Sequence, residues 1–141
     1  MNMRLPEQIV PLDRIDSEDT TYRITTRSGT VDLKASIFEL GVVHAPILQP
    51  RGKQWIIVAG FRRIAVCREI QFTEVTAKLL PSEATEQQRI ELAIADNSLQ
   101  RPLNLIETAK SLEMLSRCHD STEQLIKAAV RLNLPGSPDH V

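Results

Sequence analysis

The residues best suited to chemistry in this chain are Gly60, Arg62 and Arg63, within WIIVAGFRRIAVCREI at positions 55–70. A continuous apolar run, Ile56, Ile57 and Val58, turns on Ala59-Gly60. It then becomes helical, with Phe61, Ile64, Ala65 and Ile70 apolar and Arg62, Arg63, Arg68 and Glu69 polar. A buried strand that feeds a helix through one glycine is an anion-binding geometry. The first N–H groups of a helix lack intrahelical acceptors, and the macrodipole adds partial positive charge there. Two arginines in that first turn add full charges and forked donors that match phosphate oxygens. A strand–turn–helix with an ordinary solvated arginine face fits the same residues equally well, because Gly-x-Arg-Arg is short.

The elements that must position this turn are legible around it. Gln8 to Leu12, interrupted by Pro11, reads as an edge strand. A polar loop over 13–21 leads to a second short strand, Thr21 to Thr25, with Tyr22 and Ile24 on one face and Arg23 on the other. Arg27-Ser28-Gly29 is a turn, and Thr30 caps a helix with Asp32 in its first turn. Leu33, Ile37 and Leu40 share one helical face, and Gly41 stands at the C′ position. Ile47 to Gln49 is a strand, Pro50 to Gln54 a hairpin turn, and Trp55 to Val58 its antiparallel return. Val75, Ala77 and Leu79 alternate along a strand from Glu74 to Leu80, which Pro81 ends. Ser82 is the expected cap of the next helix, whose Ile90, Ala93 and Ile94 face inward, with Asn97 one step round. Asp96 and Asn97 thus arrive together near its end. Arg101-Pro102 breaks it. Asn104 with Glu107, and Ser121 with Gln124, have capping-box spacing and open two further helices. The last carries Leu125, Ala129 and Leu132 on one face and closes at Leu134-Pro135-Gly136, leaving a polar end over 137–141. Strands and helices therefore mix up to about residue 80, and only helices follow.

With 141 residues, the chain suits one domain, or one domain with a helical appendage. Aromatic residues are 4% of it, so the core must be built from Ile, Leu, Val and Ala. The net charge of −1 provides no global field toward DNA or an acidic membrane. Cys67 and Cys118 form neither a metal spacing nor a disulfide framework, which points to a reducing compartment. No apolar run approaches a membrane span and no signal-peptide core opens the chain, so cytoplasm is the expected location.

Three stretches, in this order, resemble the N-terminal region of ParB-family partition proteins, which have the ParB/sulfiredoxin fold. LKASIFELGVVHAPILQP (33–50) is similar to the family's helix, glycine and Pro-Ile strand. IVAGFRRIAVCREI (57–70) is similar to its Gly-Glu-Arg-Arg box and following helix. IADNSLQRPLNLIETA (94–109) is similar to its Glu-Asn-x-x-Arg box and Leu-Asn-x-Ile-Glu helix. The resemblance covers most of the chain from Ile9 to Leu132. It implies an α/β (α+β) fold: a small mixed sheet with helices in a nucleotide-binding domain over 1–100, then a helical segment over 101–141 that starts a truncated helix-turn-helix.

The resemblance also implies a site for a nucleotide, CTP with Mg²⁺ in the characterised branch. Gly60, Phe61, Arg62, Arg63, Gln100 and Arg101 would take the phosphates. His44, Ala45 and Pro46 would form the loop beside the base. Asp96 and Asn97 would stand by the metal, since hard oxygens suit Mg²⁺. The implied partners are DNA, through the full-length protein and weakly or not at all through this chain, and a second copy as a homodimer. The implied setting is the nucleoid. The chain departs from the family pattern at four places. Phe61 and Asp96 stand where the family has glutamate, Gln100 stands where it has arginine, and His44-Ala45-Pro46 has one extra residue. Any CTP hydrolysis is therefore expected to be slow.

Other readings remain beside this one. A protein-interaction domain without nucleotide fits the same elements. A sulfiredoxin needs its cysteine right after the glycine, where Phe61 stands. Cys67 lies about 9 Å further along the helix and reads as a core residue. A nuclease needs clustered carboxylates or histidines, whereas His44, His119 and His140 are scattered and Asp96 has no obvious acidic partner. An asparagine such as Asn97 on an apolar face needs a partner, which a structural hydrogen bond or a ligand would supply equally well.

Overall fold

A computed structural model of the chain describes residues 4–27, 31–98, 101–132 and 134. Its five strands are β1 (Glu7–Pro11), β2 (Ile15–Asp16), β3 (Ile47–Arg51), β4 (Gln54–Ala59) and β5 (Glu74–Leu79). Its five α-helices are α1 (Val31–Leu40), α2 (Phe61–Glu69), α3 (Glu86–Ser98), α4 (Leu105–Ser116) and α5 (Thr122–Arg131). The strands form one mixed sheet in the order β1-β5-β3-β4-β2. Strands β1 and β5, and β3 and β4, pair antiparallel; β3 with β5, and β2 with β4, pair parallel. The expected α+β class is the observed one.

Contacts divide the chain into two compact units. The first comprises residues up to 23 and 27–84; the second comprises 24–26 and the chain from 85 onward. The boundary lies at Ala84-Thr85 rather than after residue 100, so α3 groups with α4 and α5.

In the first unit, Val10, Leu12, Ile15, Ile37, Leu48, Ile57, Ile64, Val66, Cys67, Val75 and Ala77 form one apolar core. Each large aliphatic buried there contributes roughly 1.5–3 kcal/mol relative to leaving it in water. Strand β4 runs between β3 and β2, which explains why Ile56 to Ala59 are all buried. In β5 burial alternates, Val75 and Ala77 inward, Glu74, Thr76 and Lys78 outward, as the sequence pattern predicts. Trp55 packs half-buried against the core on the returning hairpin strand. Helix α2 ends in a Schellman motif: Gln71 N–H donates to Arg68 O at 3.1 Å and Phe72 N–H to Cys67 O at 2.9 Å. The left-handed position there is held by Gln71, φ 65°, not by a glycine.

Four local expectations differ from what is observed. Thr21 to Thr25 is not a strand. Asp19 accepts from Thr21 N–H and Oγ, and Arg23 N–H closes a turn on Thr20 O, so local bonds take the groups a ladder would use. Tyr22 and Ile24 are nevertheless buried and Arg23 exposed, as their alternation implies. The extra strand is β2, inside the expected loop, where Ile15 and Asp16 find a free edge of β4 at Trp55 and Ile56. Ser82 does not cap α3. Gln49 Nε2 on β3 donates to Pro81 O at 2.9 Å and approaches Ser82 O and Ala84 O, which ties up carbonyls an earlier helix start would need. The cap is Thr85: its Oγ1 accepts from Gln88 N–H and its N–H donates to Gln88 Oε1. Finally, Leu40 does not share the buried face of α1, and Ala65, one of the apolar residues of α2, is exposed. Leu40 is exposed at the last residue of α1, just before Gly41 reverses the chain, and in α2 the buried set is Ile64, Val66 and Cys67.

In the second unit α3 packs on α4 and α4 on α5. The Asn104–Glu107 capping box is complete, whereas Ser121 caps α5 from one side only, because Gln124 Oε1 accepts from Asp120 N–H instead. The expected turn at 27–29, the Thr30 cap and the closing turn at 135–136 lie outside the described residues, except for Arg27.

Candidate functional site

Gly60 sits where β4 ends and α2 begins, at φ 98° and ψ 29°. A side chain there would be strained by the backbone and by its surroundings, since a Cβ would stand 2.6 Å from Pro46 Cβ and 2.9 Å from Pro46 Cα. Glycine is required because the 44–46 loop lies directly against the turn. Two of the sequence-selected groups, the Gly60 turn and the His44-Ala45-Pro46 loop, are therefore adjacent, although 14 residues separate Gly60 from Pro46. The first bond within α2 runs from Ile64 N–H to Gly60 O at 3.0 Å, so the Phe61, Arg62 and Arg63 N–H groups precede it. The first turn of α2 has no acidic residue to offset the dipole or the arginines. Phe61 packs half-buried against the core. Arg62 and Arg63 are half-buried and His44 is exposed. Arg63 Nη1 donates to His44 O at 2.7 Å, a contact the sequence did not signal.

Asp96 and Asn97 lie half-buried near the end of α3, in the second unit. The Asn97 amide donates to Ala93 O at 2.7 Å, which supplies the hydrogen bond expected of it and leaves Oδ1 as an acceptor. Gln100 lies outside the described residues. Arg101 holds a bidentate pair with Glu107, Nη1 to Oε1 and Nη2 to Oε2, each at 2.9 Å, and Nη2 also reaches Thr25 Oγ1 at 3.3 Å. A phosphate at Arg101 would have to compete with that pair. Glu107 is fully buried and also accepts from the N–H groups of Thr26 and Asn104. The Arg101 hydrogen bond chiefly, against the cost of burial and with help from both N–H groups, holds the Glu107 carboxyl at about 2. The same bond pushes the Arg101 guanidinium up. Sequence spacing marked Glu107 only as a capping residue; nothing local announced a buried ion pair.

Cys67 is fully buried, and burial pushes its thiol up, as a core residue requires. Among the described residues, no three His, Cys, Asp or Glu side chains are grouped to hold a metal. No helix among them is long and apolar enough to cross a membrane.

A mixed five-stranded sheet whose strand β4 feeds a helix through a left-handed glycine, with three further helices following in the chain, defines an α+β fold. No family model matches the chain. Among curated proteins, it is 29% identical over 93 residues to a probable chromosome-partitioning protein ParB of Campylobacter jejuni, which aligns 66% of this chain with 33% of that protein. It is 26% identical over 96 residues to a nucleoid occlusion protein of Lysinibacillus sphaericus, covering 67% of this chain and 32% of that protein. The chain thus spans about a third of the length of these relatives. Among solved structures, a pNOB8-like ParB N-domain superposes with a TM-score of 0.63 at 17% identity, over 93% of this chain and 51% of that one. C-terminally truncated ParB from Caulobacter crescentus, complexed with CTP-gamma-S, gives 0.57 at 23% identity, over 87% and 70%. The same protein complexed to the centromeric parS site gives 0.58 at 17% identity, over 95% and 67%. The chain is thus similar in sequence to ParB and nucleoid occlusion proteins and shares the fold of ParB N-terminal domains.

Proposed function

We propose that this domain binds a nucleoside triphosphate by its phosphates at the turn from Gly60 to Arg63, as the nucleotide module of a DNA-associated protein of the partition and nucleoid occlusion type. The observation that carries the reading is the Gly60 turn itself. Its φ of 98° and its contact with Pro46 exclude any side chain at the mouth of α2, and the first turn holds two arginines and no carboxylate. Such a helix start lets an anion approach the backbone closely. CTP is the first nucleotide to test, because a ParB of the same fold is complexed with its analogue. For Mg²⁺, Asp96 with the accepting Oδ1 of Asn97, within the second unit, is the proposed ligand pair; one carboxylate and one amide oxygen suit an ion that keeps several waters. DNA is the proposed partner of the whole protein, by likeness to the parS-bound structure. This chain, at a net charge of −1, is expected to bind DNA weakly on its own, because non-specific affinity comes from cations neutralising phosphates. Hydrolysis is expected to be slow, since Phe61 offers neither acid–base chemistry nor charge.

Calorimetric titration with CTP, ATP, GTP and UTP in the presence of Mg²⁺ tests the reading. Saturable binding that Arg62→Ala weakens by roughly ten- to a hundredfold supports it, the loss expected for one charge-assisted phosphate contact. Absence of binding to all four defeats it. The second reading, a protein-interaction domain without nucleotide, draws on Val31, Phe38, Leu40 and Val43, large apolar side chains exposed on and just after α1.

A further inference from the structure

Helix α1 carries apolar residues on two sides. Leu33 and Ile37 face the core of the first unit, Ile37 buried within it and Leu33 packed half-buried against it. Val31, Ala35 and Phe38 lie on another side; at 3.6 residues per turn they fall within about 60° of one another. All three are exposed, Val31 at 81% and Phe38 at 76%. Leu40 stands half a turn from this stripe and is no part of it. The spacing of Val31, Ala35 and Phe38 is that of successive d, a and d positions of a heptad. The three charged residues of α1 flank the stripe with opposite signs. Exposed Lys34 borders it on one side, at g, and exposed Asp32 and Glu39 border it on the other, at e. Single exposed apolar residues are ordinary on a surface, but an aligned stripe between a basic and an acidic rim is the pattern of a helix that meets a partner.

We propose that this face of α1 pairs with the same face of a second copy of the chain, the two helices running parallel. The proposal goes beyond the nucleotide reading and does not depend on it. The rims choose both the partner and the direction. In a parallel pair, with the two-fold axis along the helices, the basic rim of each copy meets the acidic rim of the other. Lys34 then stands by Glu39 of the second copy, the g-to-e relation that sets partner choice in coiled coils, and the contact occurs twice. In an antiparallel pair each rim meets its own counterpart, lysine beside lysine and glutamate beside glutamate, and is repelled. A partner of one sign would satisfy one rim and oppose the other, so the self-complementary face fits a second copy best. Ala35, small between Val31 and Phe38, lets the two helices approach. The helix has ten residues and is about 15 Å long, so the pair buries well under the roughly 1,200 Å² of a stable interface. The dimer is therefore weak, and the rim charges decide much of its affinity.

Sedimentation of the full chain at low salt and without nucleotide, at concentrations up to about 1 mM, reads the association. The wild type should show a reversible monomer–dimer equilibrium. Phe38→Ala should weaken it by at least about tenfold, the scale of one buried aromatic side chain. Lys34→Glu and Glu39→Lys should each weaken it by about tenfold, because two attractions become two repulsions. The double variant exchanges the rims and should return to within about threefold of the wild type. All four replaced side chains are exposed, so each variant should keep the cooperative urea transition of the wild type, which is checked first. Val31→Cys in a Cys118→Ser background reads the direction: parallel helices bring the two new thiols together, and mild oxidation should cross-link them. A wild type that stays monomeric throughout overturns the proposal. So does a dimer that Phe38→Ala or the single charge reversals leave unchanged, which would place the contact on another surface. A dimer that the double reversal does not restore, or that Val31→Cys does not cross-link, overturns the parallel pairing on which the choice of partner rests.

Discussion

Replacing Gly60 with alanine strains the turn in two separable ways. At φ 98° the backbone is in a region that costs an L-residue roughly 1–2 kcal/mol. The new Cβ would also stand 2.6 Å from Pro46 Cβ and 2.9 Å from Pro46 Cα, one of them a backbone atom that no rotamer change can move. Relieving such overpacking costs about 1–3 kcal/mol. Together these give a loss of about 2–5 kcal/mol, a large part of a typical stability of roughly 5–15 kcal/mol. Gly41 is the natural control: its φ is 76°, but a Cβ there meets nothing within 4 Å, so Gly41→Ala carries the backbone cost alone. Urea unfolding followed by circular dichroism measures both variants, and an unchanged slope confirms that the transition is the same one. Pro46→Gly in the Gly60→Ala background removes the nearer obstacle and should recover part of the steric loss in a double-mutant cycle. If Gly60→Ala costs no more than Gly41→Ala, the 44–46 loop does not lie against the turn, and the reasoning about the site fails with it.

Glu107 should make stability fall in acid. Its folded carboxyl is held at about 2, below the ordinary 4.5, so its contribution is complete above about pH 4.5 and is lost as pH drops toward 2; this amounts to about 3 kcal/mol. Glu107→Gln should flatten that slope in unfolding measured from pH 6 to pH 2, and should destabilise the chain at pH 7 by about 3–5 kcal/mol, since Arg101 loses its ionic partner. Gln71→Gly should raise stability by up to about 1 kcal/mol, because glycine relieves the left-handed position of the α2 Schellman motif; a lower urea midpoint would refute that. Arg62→Ala, by contrast, should weaken nucleotide binding while the protein keeps a single cooperative urea transition; loss of that transition would make Arg62 a residue of the fold instead.

What the sequence determined by itself was whatever is decided by neighbours a few residues apart. Alternation fixed the buried faces of β5, the run at 56–58 identified β4, and Gly41 and the Asn104–Glu107 pair marked helix ends, because periodicity and capping are short-range physics. The glycine that admits close approach at α2 was legible for the same reason. Contacts between distant segments were not legible, because nothing in a local window reports the acceptor that a side chain or strand edge will meet. Ile15 and Asp16 became a strand only because β4 offered a parallel edge. Ser82 lost its cap role because Gln49, 33 residues earlier, took its segment's carbonyls. Arg101 met Glu107 and Thr25, the latter 76 residues earlier, and Arg63 acquired its hold on His44 O from a loop 19 residues away. Charged side chains are long and their partners are chosen by tertiary packing. The residue types around Gly60 were therefore readable from the chain, but the partners their side chains meet were decided only once the chain had folded.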